Sequence, residues 1–316
     1  MRHAMTLSLD GRTPLRRPAI PVQRLTLRPQ PGMAPLEALV GTPADSRGVL
    51  VYFPGFNTPL GEWEVAKCQF LAHATSLTVV MTEIPGMSRY RDPIPSAVRR
   101  DMLRRRIDSW AELNLAYFAE AFRAGGVSNT ETMQVLGYST GCSLATAALG
   151  QLNEWGPIEG LNLVEPVAIV QRSLASLQAD NLADWGRLPW VHATNRHHDW
   201  VVATRRRQLH EPSVHYSAVD LFAIAQVLSS EGLLASLERV DLARCAIARG
   251  ERSSLCRHSD FEKLDAMLAE RGIPGPSITV PKLGHQLWHS FPTLVGLTTA
   301  MLVGRTAPSQ DPQPPR

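Results

Sequence analysis

The segment MQVLGYSTGCSLA, Met133 to Ala145, restricts the folds open to this chain more than any other. A short apolar run leads into Gly137-Tyr138-Ser139-Thr140-Gly141, and a stretch of small residues follows. A G-x-S-x-G pentapeptide between a strand and a helix holds its serine on a sharp turn, in a strained backbone with the side chain projecting. A Cβ at either glycine would collide with the neighbouring strand or the start of the helix. The five residues alone are also compatible with a buried strand closed by a glycine turn. The context along the chain has to separate the two.

That context is a regular alternation. VQRLTLRP and PLEALVGTP read as two antiparallel strands joined by a turn. GVLVYFPGFN is a continuous apolar run, as in a strand buried on both faces, and Trp63 to Ala74 reads as a helix. SLTVVMTEIPG, helix DSWAELNLAYFAEAFRAGG, MQVLGYSTG, helix CSLATAALGQL and IEGLNLVEP continue the series. Strands alternating with helices imply right-handed crossovers and a mostly parallel, doubly wound α/β sheet. From residue 171 to 240 the strand rhythm gives way to helical segments carrying Trp185, Trp190 and Trp200. ARCAIARGE, helix SDFEKLDAMLAERG, SITVPKLGH and a last helix to about Val303 then resume it. The expected organisation is an N-terminal extension over 1–21 and a first core part over 22–170. A helical cap over 171–240 follows the sixth strand, then a second core part over 241–304 and a disordered, Pro-rich tail over 305–316. No internal repeat is present, which removes solenoids and propellers.

Composition narrows the class. With 44% hydrophobic and 19% charged residues among 316, the chain reads as a soluble globular protein. The net charge of +3 and the small groups Arg99-Arg100, Arg104 to Arg106 and Arg205 to Arg207 lack interleaved aromatics, so no nucleic-acid partner is expected. Cys68, Cys142, Cys245 and Cys256 form no C-x-x-C pair, which points to a reduced compartment. No apolar run has signal-peptide or spanning length, and Pro18 follows Arg16-Arg17, so the expected location is cytoplasmic with no membrane span.

A serine hydroxyl becomes a nucleophile when a base takes its proton. Of ten histidines, His285 follows the last core strand, in SITVPKLGHQLWHSFP, where Gly284 allows a tight loop. Two backbone amides would cradle the oxyanion. One belongs to Thr140, at the helix N-terminus behind the serine. The other belongs to Phe56, in the loop Pro54-Gly55-Phe56-Asn57, with Gly55 letting the chain turn back toward the serine. His285 and His289 are spaced like zinc ligands on a helix, but Gln286 stands where that motif has its glutamate and no third ligand is evident. His197-His198-Asp199 reads as a polar loop, and no metal or organic cofactor is expected. Trp63, Trp288 and the three tryptophans of the cap border the presumed cleft and suggest an apolar acyl or aryl pocket.

Taken together, YFPGFN, EIPGMS, GYSTGCS and KLGHQLW resemble the oxyanion loop, the loop after the fourth strand, the nucleophile elbow and the histidine loop of the α/β-hydrolase superfamily, in that superfamily's order. The resemblance extends from about Val22 to Val303 and implies a serine hydrolase, of the carboxylic ester hydrolase type, with a catalytic triad. There are two departures. Pro54 replaces the usual histidine before Gly55, and Ser253 stands where members usually carry the triad's aspartate. Glu165, at the end of GLNLVEP, holds a position from which some members, haloalkane dehalogenases among them, supply the acid. Glu251 is next to the usual site, and Asp260 follows Ser259, whose spacing to Glu262 looks like a capping box. Glu165 ranks first, Glu251 second, with Asp260 or no acid after them. The implied reaction is cleavage of a carboxylic ester or related acyl bond through an acyl-enzyme on Ser139, with an apolar small-molecule substrate. A non-catalytic binding protein on the same scaffold, and acyl transfer or carbon-carbon hydrolysis, are the alternatives.

Overall fold

The structure is a computed structural model that describes residues 2–7, 18–88, 93–128, 131–208, 217–230 and 232–303, the side chains of 205–208 and 230 excepted. The side chains of the Arg205 to Arg207 group, the Arg16-Arg17 pair and the tail over 305–316 lie outside that description.

Nine strands form one sheet: β1 (Arg2–Thr6), β2 (Val22–Leu27), β3 (Leu36–Gly41), β4 (Val49–Phe53), β5 (Thr78–Thr82), β6 (Met133–Tyr138), β7 (Ile158–Val164), β8 (Cys245–Gly250) and β9 (Gly275–Val280). Their spatial order is β1-β9-β8-β7-β6-β4-β5-β3-β2. β2 and β3 pair antiparallel, as does β3 with β5, and every other pair is parallel. The central runs are apolar at consecutive positions because both faces are covered. Val49, Val51 and Phe53 of β4 enter one core, and Leu50 and Tyr52 enter the other. β6 divides in the same way, with Met133 and Val135 on the first side and Leu136 and Tyr138 on the second.

The first core is closed by α3 (Asp108–Ala124), α4 (Thr140–Trp155) and α10 (His258–Glu270), the second by α1 (Glu62–Thr75) and α11 (Phe291–Thr298). α2 (Ser96–Leu103) precedes α3. Between β7 and β8 lie α5 (Leu174–Trp185), α6 (Leu188–Thr194), α7 (Asp199–Gln208), α8 (Ala218–Ser230) and α9 (Leu233–Glu238). Arg99 of α2 reaches Asp220 of α8 at 2.8 Å, so one member of the arginine groups joins these inserted helices to the core.

Two expectations are corrected here. Part of the stretch read as an N-terminal extension is an edge strand: β1 pairs in parallel with β9. Its Arg2 is held by Asp265 of α10 at 2.6 Å and by the Cys245 carbonyl at 2.8 Å. The capping box at Ser259 does not form. The N-cap of α10 is Arg257, two residues earlier, with no side-chain cap bond, while Glu262 lies 3.3 Å from His258.

Candidate active site

Ser139 stands between β6 and α4 at φ 55°, ψ −122°, a backbone region that costs a residue with a Cβ about 1–3 kcal/mol. Two glycines make the turn possible by close approach. A Cβ on Gly137 would lie 2.7 Å from Cys142 Cα, and one on Gly141 would lie 2.1 Å from the Phe53 carbonyl oxygen. β4 is therefore packed directly against the first turn of α4. Gly55 plays a different part from the turning role expected of it. Its φ is not in the left-handed region; a Cβ there would come 2.9 Å from the Tyr138 ring and 3.1 Å from Ser139 Cβ. Glycine lets the loop after β4 press against the serine, and the turn itself is made at Asn57, φ 55°.

Ser139 Oγ is 2.7 Å from His285 Nε2, and the opposite ring nitrogen, Nδ1, is 2.9 Å from Glu165 Oε2. All three residues are buried. Glu165 directly follows β7, and its amide donates to the Ala248 carbonyl of β8 at 2.7 Å, which fixes the end of the strand. Its carboxylate takes two further donors. The Gly250 amide donates to Oε1, and the Ser253 hydroxyl donates to Oε2 at 2.6 Å. The same hydroxyl accepts from the Cys256 amide at 3.1 Å, so its proton is directed to Glu165. Ser253, where the resemblance leads one to expect a carboxylate, thus donates to the carboxylate that ends the neighbouring strand β7.

The other two acid candidates are elsewhere. Glu251 Oε2 accepts from the Lys282 amide at 2.7 Å and is exposed, and Asp260 sits in the first turn of α10 beside Lys263 at 3.7 Å. Neither is brought to His285.

His285 opens a single 3-10 turn, His285–His289, which leads into α11. Tyr138 stacks on its ring at 5.8 Å between centroids, and the Tyr138 hydroxyl donates to the His285 carbonyl at 3.2 Å. Burial pushes the Tyr138 phenol well above its usual range, with the Glu165 charge adding to the effect, so Tyr138 remains a neutral donor. Burial raises the Cys142 thiol in the same way, and its Sγ donates to the Val164 carbonyl, so Cys142 stays a protonated thiol.

Ser139, Thr140, Phe56 and His285 face a cavity of about 670 Å³. Its wall is built by facing stripes of α5 (Leu174, Leu177, Trp185) and α8 (Leu221, Phe222, Leu228). Thr140 is the first residue of α4, where amides have no acceptor within the helix. Of the tryptophans expected at the cleft, only Trp185 lines this cavity. Trp63 and Trp288 are core residues, the latter donating to Tyr52 Oη at 3.0 Å; Trp200 packs on Phe291, and Trp190 is exposed. His197-His198-Asp199 does not converge on a site. His198 is buried edge-on against Phe291, its pKa lowered by burial, while its two neighbours are exposed. Among the described residues no three His, Cys, Asp or Glu side chains form a metal-binding group, and no helix is long and apolar enough to cross a membrane.

No protein-family model matches the chain, and no curated protein sequence does. Solved structures do. The thioesterase domain from the curacin biosynthetic pathway superposes with a TM-score of 0.56 at 15% identity, over 89% of this chain and 99% of that one. The N-formylmaleamic acid deformylase of Pseudomonas putida S16 gives 0.55 at 14% identity, over 89% and 99%. The carboxylesterase CesB of Bacillus subtilis gives 0.51 at 14% identity, over 90% and 92%. These likenesses cover about nine-tenths of the chain and agree with the mostly parallel nine-strand sheet described above: the chain has the α/β-hydrolase fold.

Proposed function

We propose that the chain is a serine hydrolase that cleaves carboxylic esters or related acyl bonds. The observation that carries the reading is the unbroken line from Ser139 Oγ through both nitrogens of His285 to Glu165, ending at a cavity large enough for an organic substrate. In this reading Ser139 is the nucleophile, His285 the base and Glu165 the acid. As Ser139 Oγ attacks the acyl carbon, its proton passes to His285 Nε2. The amides of Phe56 and Thr140 receive the oxyanion. Collapse of the tetrahedral intermediate breaks the bond to the leaving group, which takes the proton from the imidazolium. Water then adds to the acyl-enzyme, giving its proton to His285, and a second collapse releases the carboxylic acid and returns the proton to Ser139. Side chains, backbone amides and water carry every step.

A binding protein that had lost the triad's charge is the reading that serine at 253, in place of an aspartate, would favour. A carboxylate on His285 from the neighbouring strand removes that argument. The helices α5 to α9 act as a cap, within 171–240, whose α5 and α8 stripes favour an apolar acyl group. The deformylase, thioesterase and carboxylesterase of like fold support hydrolysis as the reaction class. Four buried free thiols suit a cytoplasmic setting.

A fluorophosphonate probe tests the reading. It is expected to add one phosphonyl group to the peptide carrying Ser139, detected by mass, and to abolish hydrolysis of a p-nitrophenyl ester; an unmodified Ser139 with ester turnover intact would end the proposal. A control follows from the position of Glu251. Glu251→Gln removes a carboxylate that serves the Lys282 amide at the surface, so kcat is expected to stay within about threefold of wild type, as for exposed substitutions generally. A loss of 100-fold would move the acid to the end of β8.

A further inference from the structure

A buried carboxylate outside the relay described above touches both of the loops that carry it. Asp184 is 1% exposed, lies near the C-terminal end of α5 and takes no part in the chemistry. Its Oδ2 accepts from the amides of Ser254 at 2.9 Å and Leu255 at 2.8 Å, both in the loop after β8. Its Oδ1 accepts from Arg187 Nη1 at 2.8 Å and lies 3.5 Å from the His285 amide nitrogen. A Cβ on Gly284 would come within 3.0 Å of that same oxygen, so the histidine loop passes directly over the carboxylate. Arg187 extends the clamp, donating to the Arg252 carbonyl at 2.6 Å and the Ser254 hydroxyl at 2.8 Å. The clamped residues, 252 to 255, enclose Ser253, the donor that holds Glu165.

A carboxylate taken out of water needs donors in place of its hydration. Asp184 finds them on the two loops that carry the relay and on Arg187. We propose that Asp184 is a positioning residue: seated from the cap, it holds the loop after β8 and the histidine loop in one register, so that Ser253, Glu165 and His285 align only while α5 is docked. The inference rests on the serine-hydrolase reading of the site. Because α5 is also one wall of the cavity, the same carboxylate ties that wall to the relay.

The test uses the full chain with Asp184→Ala and Asp184→Asn, kcat and KM for a p-nitrophenyl ester, and the rate of Ser139 labelling by a small fluorophosphonate. Loss of alignment by a fraction of an ångström is expected to lower kcat and the labelling rate of Asp184→Ala by about 10- to 100-fold, with KM within about threefold. Asp184→Asn keeps an oxygen for the Ser254 and Leu255 amides and is expected to retain activity within about fivefold of wild type. Labelling of Asp184→Ala at the wild-type rate, or a change in KM alone, would overturn the inference and leave Asp184 a shaper of the cavity. Wild-type protein that fails to label at Ser139 would instead bring down the hydrolase reading beneath it. If Asp184→Ala does not fold, Arg187→Met takes its place. It removes the contacts to Arg252 and Ser254 while leaving both amides on Asp184, and it should cost kcat about 3- to 10-fold at constant KM; an unchanged kcat overturns the proposal.

Discussion

Ser139→Ala is expected to lower kcat for an acyl substrate by about 10⁶-fold, the scale on which removal of a triad nucleophile acts. The fold should survive. The unusual backbone at 139 is imposed by Gly137 and Gly141, which allow β4 and the start of α4 to approach within distances that no Cβ would fit. Alanine carries the same Cβ as serine and meets the same strain, so the melting temperature should stay close to that of wild type. The hydroxyl's partner, His285 Nε2, is left in place. Hydrolysis of p-nitrophenyl butyrate, measured beside circular dichroism, separates lost chemistry from lost structure. Turnover near the wild-type level in a folded variant would remove Ser139 from the mechanism.

Glu165→Gln is expected to reduce kcat by roughly 10² to 10⁴, with little change in KM. Glutamine fills the same space and can still accept from the Gly250 amide and the Ser253 hydroxyl, but it carries no charge to stabilise the imidazolium formed when Ser139 gives up its proton. A second substitution makes the assignment specific. Ser253 Oγ already lies 2.6 Å from the carboxylate oxygen that faces His285, so an aspartate introduced at 253 brings its charge to the same imidazole. Ser253→Asp in the Glu165→Gln background is therefore expected to recover at least tenfold of the lost kcat. In the wild-type background the same change sets two carboxylates against each other and lowers activity instead. A Glu165→Gln enzyme with full kcat would show that His285 works without an acid.

The parts of this site that were legible in the sequence are those fixed by local geometry. The elbow demands glycines at both sides of its serine, and the close approaches at Gly137 and Gly141 are the physical form of that demand. His285 could be found because a loop after the last strand must end near the sheet's other loops. Glu165 came forward only through the resemblance, as the strand end from which some members supply the acid. β1 was not legible: four of its five residues are exposed, and an edge strand with little to bury leaves no apolar signature. The tryptophans misled because a large ring serves a core as readily as a cleft, and Trp63 and Trp288 went to the core. Asp184 gave no signal, and Ser253 was visible as a missing aspartate but not as the donor that holds Glu165. Their meaning lies in partners some 70 and 88 positions away, which no local pattern records.

β7 and β8 run side by side, Val164 opposite Ala248, and the turns that follow them meet at one carboxylate, which faces the imidazole. The ring makes no distinction as to which strand supplied its partner. Two addresses for a carboxylate thus lie within reach of the same ring, with room for a charge at only one of them at a time. A survey that scores triads column by column in an alignment would file this protein among the inactive relatives, because it finds serine at the customary address. Ranked by what stands within about 3 Å of the histidine nitrogen, it keeps the carboxylate that the proposed mechanism needs.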